Sequence, residues 1–174
     1  MHNHLNIYYF IDKFDRNEII NLDKKISLIY RNYNNKFDIS AIKKIKTCCK
    51  KTNRNFFISN NLKIALNLKL DGLYIPSFYK LMNLKNFNTR KNFKFIGSAH
   101  NISELKIKEN QNCKQIFVAP IFKTKKNKSH LNIHKFNTIS LNSNSKIIAL
   151  GGINLKNMRS LSLTKSVGFA SISW

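Results

Sequence analysis

The chain has 174 residues, with 31 Lys and Arg against 8 Asp and Glu, a formal charge of +23 and a pI of about 10.2. Its 43% hydrophobic content, with 13 Phe and 6 Tyr, excludes a disordered polyelectrolyte and can fill the core of one domain over residues 1–174. No apolar run reaches the roughly 18 residues of a membrane span. The start, MHNHLNIYYFIDKFD, lacks the basic n-region and cleavage site of a signal peptide, so a soluble, cytoplasmic protein is expected. The adjacent Cys48 and Cys49 and the remote Cys113 make neither a disulfide framework nor a CxxC metal motif.

Positive charge suggests a polyanionic partner, with KKIKTCCKK (43–51) and KTKKNK (123–128) as its basic runs. Basic residues are spread along the whole chain, however, and Lys, Asn and Ile are abundant throughout, as an AT-rich coding sequence would produce. No RNP-like aromatic pair, Cys/His finger or helix-turn-helix accompanies them, so nucleic acid is not the expected partner. Acids are the scarcer resource. Asp12, Asp15, Glu18, Asp23, Asp38, Asp71, Glu104 and Glu109 are all that the chain offers for metal binding or acid–base chemistry.

In chain order, strands are predicted at NIYYFI (6–11), ISLIYR (26–31), NFFIS (55–59), GLYIP (72–76), FKFIG (93–97), QIFVAPIF (115–122), KIIALGG (146–152) and GFASIS (168–173). They are continuous apolar runs, the pattern of strands buried on both faces. Between them lie helical segments. One follows the N-cap candidate Asp38, and NLKIALNLKL (61–70) places Leu62, Ala65, Leu66 and Leu70 on one face. Others are expected to begin at Ser77, Ser103 and Asn154. Eight strands alternating with helices at a spacing of about 23 residues predict a compact (β/α)8 TIM barrel in the α/β class. Its first unit is short, and no closing helix follows strand eight, which leaves Trp174 for the barrel base or an oligomer contact. Pro76, Gly97, Pro120 and Gly151-Gly152 fall at the carboxyl ends of strands, where barrels build their sites. The glycine pair, followed by Ile153 and Asn154, is suited to cradling a phosphate with backbone N–H groups.

FIGSAHNISEL (95–105), FVAPIFKT (117–124), IIALGGINLKN (147–157) and GFASIS (168–173), with IYYFID (7–12) and ISNNLKIALNLKLDGLYI (58–75), resemble the thiamine phosphate synthase and thiazole tautomerase family over nearly the whole chain. The resemblance implies a (β/α)8 barrel of thiamine biosynthesis that couples a thiazole phosphate with an aminopyrimidine diphosphate to give thiamine phosphate. It implies a thiazole phosphate held at Gly151, Gly152, Ile172 and Ser173, with Ser98 and Thr124 contacting substrate; Lys126, beside the position of the family Lys, is the substrate-binding lysine candidate. It also implies that Arg31 grips the diphosphate and that His100 acts near the thiazole. His suits proton transfer because it titrates near neutral pH.

Several positions depart from the family pattern. Ile29 and Tyr33 stand where the resemblance implies Gln and Lys, Asn127 stands where it implies Lys, and Ala119 replaces a Gly. Asn60, and a position at about Tyr79, stand where it implies the two Asp residues that hold magnesium. Magnesium would accompany the synthase activity, yet the residues themselves suggest no metal ligand set. The alternatives are a metal-independent thiazole tautomerase or a non-catalytic barrel for phosphorylated small molecules. His130 and His134, spaced i,i+4, lack an acid to complete a metal site and read as a solvated helix face.

Overall fold

The computed structural model describes residues 5–33, 37–81, 84, 87, 89–124 and 129–171. Its eight strands are β1 (Asn6–Ile11), β2 (Ile26–Tyr30), β3 (Phe56–Ser59), β4 (Gly72–Ile75), β5 (Lys94–Ala99), β6 (Gln115–Val118), β7 (Lys146–Leu150) and β8 (Gly168–Ser171). Each pairs in parallel with its neighbours, and β1 closes the ring by pairing with β8, Asn6 opposite Gly168 and Tyr9 opposite Ser171. The expected barrel is therefore the observed fold. Ile172, Ser173 and Trp174 lie outside the described residues, as do Lys126 and Asn127.

Five α-helices cover the strands: α1 (Arg16–Asn21), α2 (Ile39–Lys51), α3 (Leu62–Asn67), α4 (Ile102–Asn110) and α5 (Asn132–Leu141). Asp15 caps α1 by accepting from Glu18 N, and Asp38 caps α2 by accepting from Ala41 N, each 3.0 Å away. Along α2, Ile42, Ile45 and Cys49 recur at spacings of three and four and are buried against the sheet. Burying Ile42 and Ile45 contributes roughly 1.5–3 kcal/mol each. Among the described residues no helix is long and apolar enough to cross a membrane.

Three helix expectations change. α4 starts one residue before Ser103, with Asn101 as its cap accepting from Glu104 N, because Asn competes well for that position. Asn154 opens a turn that leads into a 3-10 helix at Met158–Leu163. Ser77–Leu81 is not helical, and residues 82, 83, 85 and 86 of the expected helix lie outside the described residues. The carbonyls of Tyr79 and Leu81 are taken by side chains of α4. Lys108 Nζ donates to Tyr79 O (2.6 Å), and Gln111 Nε2 donates to Tyr79 O (3.0 Å) and Leu81 O (2.7 Å). Lys108 is wholly buried, and it lies so close to β5 that a Cβ on Gly97 would meet its stem at 2.9 Å.

The brevity of the first unit is balanced by Arg54, which is 5% exposed. Its guanidinium donates to four carbonyls, Asp23 O (2.7 Å), Ile26 O (2.8 Å), Leu22 O (3.0 Å) and Ile19 O (3.3 Å), gathering the end of α1 and the entry to β2. Two of these carbonyls, Ile19 and Leu22, are ones that the end of a six-residue helix leaves open, and the other two lie at the entry to β2.

Replacing Arg54 by Met removes four hydrogen bonds, and urea unfolding should show a loss of about 2–4 kcal/mol, with Arg54→Lys recovering only part. Burial lowers the Lys108 ammonium from 10.5 to about 8. Between those values the unfolded chain binds a proton that the folded chain does not, so stability rises with pH. The unfolding free energy of the native protein relative to Lys108→Met should therefore increase from pH 8 to 10.5 and be flat below that window.

Candidate functional site

The carboxyl ends of the strands form the barrel mouth, and its floor is aromatic. Tyr8, Phe10, Phe57, Tyr74 and Phe117 point inward, in contact at ring-centroid distances between 5.1 Å (Tyr8–Phe117) and 6.0 Å (Tyr8–Phe57). Arg31, Ser59, Ser98 and Gly151-Gly152 stand just beyond the ends of this floor or at its rim, on β2, β3, β5 and β7. The structure thus brings together most of the described residues singled out in the sequence.

On the β6–β7 side the geometry is fixed by backbone. Gly151 has φ +95 and Gly152 φ +70, conformations that L side chains rarely adopt. A Cβ on Gly151 would meet Pro120 Cβ at 2.7 Å, and one on Gly152 would meet Lys123 O at 2.4 Å. Glycine is what lets the β7 turn nest against the segment after β6. Phe122 N donates to Gly151 O (3.1 Å), and Asn157 Nδ2 donates to Gly152 O (2.7 Å). The Gly152 N–H donates to no described residue. Thr124 stands at the end of the segment after β6, half-buried.

His100 follows β5, and two contacts orient it. Its backbone N–H donates to Glu104 Oε2 (2.8 Å), and Nδ1 lies 2.7 Å from Ala119 O. A carbonyl only accepts, so Nδ1 carries the hydrogen and Nε2 of the neutral ring keeps its lone pair. The Ala119 carbonyl thus orients the ring. Ser98, two residues back on the inward face, is 5% exposed near Tyr74. Burial pushes the Tyr74 phenol up to about 12, opposed by Ser98 and Arg31, so Tyr74 is a neutral hydroxyl at physiological pH.

The β2–β4 side is built from side chains. The Arg31 guanidinium carbon lies 4.4 Å from the Phe10 centroid and 5.7 Å from that of Tyr33. Tyr33 in turn meets Phe78, edge to face at 5.7 Å, and both rings are exposed. Ser59 is 1% exposed, and its Oγ has no hydrogen-bond partner of good geometry among the described residues. The Tyr33 phenol lies beside Ser59 and Arg31 in this corner of the mouth. Asn60 adopts φ +54 and donates from N to Tyr74 O (2.9 Å). Phe78, Tyr74 and Lys108 are not legible as site residues in the sequence, because their meeting depends on strand register and on a loop contact.

His130 and His134 do not share a helix face. His130 precedes α5, which begins at Asn132, and both are exposed. Among the described residues no three His, Cys, Asp or Glu side chains cluster so as to hold a metal ion.

The sequence matches the family described as thiamine monophosphate synthase over residues 18–174. It is 33% identical over 141 residues to a thiamine-phosphate synthase of Prochlorococcus marinus, covering 78% of this chain and 39% of that protein. It is 29% identical over 122 residues to one of Methanococcus vannielii, covering 68% of this chain and 58% of that protein. The chain therefore spans well under two thirds of the length of these relatives. A solved structure of thiamine phosphate pyrophosphorylase from Pyrococcus furiosus shares the fold, with a TM-score of 0.77 at 19% identity, over 98% of this chain and 87% of that one.

The glycine turn makes a direct prediction. Gly152→Ala must strain a positive φ and displace Lys123 O, and should lower stability by about 1–3 kcal/mol in chemical denaturation. Lys156→Ala, on the same turn with an exposed side chain, should change it by less than about 0.5 kcal/mol.

Proposed function

The chain belongs to the thiamine monophosphate synthase family, and from that premise we propose that residues 1–174 form one synthase-like barrel domain that joins a thiazole phosphate to an aminopyrimidine diphosphate. In that reaction the thiazole ring nitrogen attacks the pyrimidine methylene carbon. A C–N bond forms, the C–O bond to diphosphate breaks, and diphosphate leaves with the electron pair. The observation that carries the reading is the Gly151-Gly152 turn, whose Gly152 N–H faces no described partner while Ser98 and His100 share the same mouth. Backbone amides there would hold the phosphate, with Thr124 and Ser98 contacting the thiazole and Arg31 drawing the anionic leaving group. Ile172 and Ser173 retain the substrate roles that the resemblance implies, Lys126 is the substrate-binding lysine candidate, and the setting for such biosynthetic chemistry is the cytoplasm.

A tautomerase reading is favoured by one feature, the His100 orientation. With Nδ1 held by Ala119 O, Nε2 is poised to take and return a proton on a thiazole ring.

The purified protein with both substrates should yield thiamine phosphate, detected by mass spectrometry, and thiazole phosphate alone should bind in calorimetry. His100→Ala should lower turnover by about 10²–10⁴-fold while thiazole phosphate still binds. No product from either the synthase or the tautomerase substrates, with binding intact, would leave a non-catalytic phosphate-binding barrel.

A further inference from the structure

We infer that the β2–β4 half of the mouth binds an anionic heteroaromatic ligand through Arg31 without a divalent cation. This rests on the family reading of the mouth and departs from the magnesium that the family implies. The departure lies in the donor set. At the two positions where the resemblance implies carboxylates, Asn60 and about Tyr79, the chain carries an amide and a phenol, and the Tyr79 ring packs against the core between barrel and helices. A hard dication prefers carboxylate oxygens, and neither group supplies a formal negative charge.

The backbone offers no substitute at the second position. Tyr79 O accepts from Lys108 Nζ and from Gln111 Nε2, so two donors already occupy that carbonyl. One of these donors is itself a buried cation, and a dication brought to the same loop would be repelled by it. Residues that could hold the metal are thus replaced, and the loop that would carry one of them is fastened by a positive charge.

Arg31 supplies charge from β2, on the same side of the mouth. Its guanidinium rests on Phe10 and is flanked by Tyr33, which restricts the long side chain. The guanidinium also interacts with the Tyr74 hydroxyl, and a planar guanidinium has five N–H donors, so its remaining in-plane donors match phosphate oxygens. Beside it, Tyr33 and Phe78 give the rim apolar surface for a planar ring. Ser59 faces inward, two residues beyond Phe57 on β3, and its hydroxyl would be satisfied by a polar atom of such a ring. The ligand chemistry is a planar nitrogen heterocycle bearing a phosphate or a diphosphate.

Calorimetry with the aminopyrimidine monophosphate and, separately, the diphosphate distinguishes these, each run in excess magnesium and in chelator. Affinity should change by less than about threefold between the two conditions, and Arg31→Gln should weaken binding by about tenfold or more. The double variant Asn60→Asp/Tyr79→Asp, which restores two carboxylates, should acquire magnesium dependence for the diphosphate. Magnesium tightening the native protein threefold or more, failure of both pyrimidines to bind in either condition, or retention of affinity in Arg31→Gln would each overturn the inference. Thiazole phosphate titrated into the same samples separates the two levels. If it binds while the pyrimidine result fails, the cation-free site falls and the family reading stands; if it too fails to bind, that reading falls with it.

Discussion

The interior of this barrel is a stack of rings, and the site depends on it. Tyr8, Phe10, Phe57, Tyr74 and Phe117 meet edge to face or tilted, the arrangement that aromatic quadrupoles favour. Where space is short, the strands yield instead of the rings. A Cβ on Gly72 would meet Lys94 O at 2.1 Å and the Phe57 ring at 2.8 Å, and a Cβ on Gly168 would meet Asn6 O at 1.9 Å. Ring packing and barrel closure are thus one constraint. Phe10 belongs to both levels, since one face of the stack becomes the seat of Arg31.

Above that floor the mouth divides by how its walls are held. Toward β6 and β7, backbone fits against backbone, and two positive-φ glycines fix the turn without help from any long side chain. Toward β2 and β4, position is set by side chains that reach over distances in sequence, Lys108 and Gln111 to the loop after β4 and Arg31 to Phe10. The glycine pair sits on the first wall, and the positions where the resemblance implies carboxylates sit on the second. Backbone geometry leaves little room for substitution, whereas a wall of side chains can be rewritten one residue at a time.

The same division explains what can be read from the sequence. The eight strands are legible because burial on both faces writes each one as a continuous apolar run, and helix starts at Asp38 and Asn61 are legible because capping is local chemistry. The glycine pair announces its turn for the same reason. The loop after Ser77 reads as a helix in the sequence because the donors that replace its helical ladder come from α4, some 30 residues later. Arg31 and Phe10 are 21 positions apart and meet only through the pairing of β1 with β2, so the cation–aromatic contact has no local signature. The Ala119 carbonyl that orients His100 is invisible for the same reason, since a backbone oxygen acts whatever its residue type.

The scarcity of acids has an evolutionary consequence. Seven of the eight carboxylates accept a hydrogen bond: Asp15, Asp23, Asp38, Asp71, Glu104 and Glu109 from backbone N–H groups, and Glu18 from the Tyr9 hydroxyl. Glu109 alone bridges α4 to Ser143 and Asn144 before β7. None of the seven is an idle surface charge, so a composition drifting toward lysine and asparagine meets a floor at these positions. The mutational landscape is accordingly lopsided. Seven of the eight acids are structural joints, and further loss of negative charge would first be felt as loosened helix ends and loops.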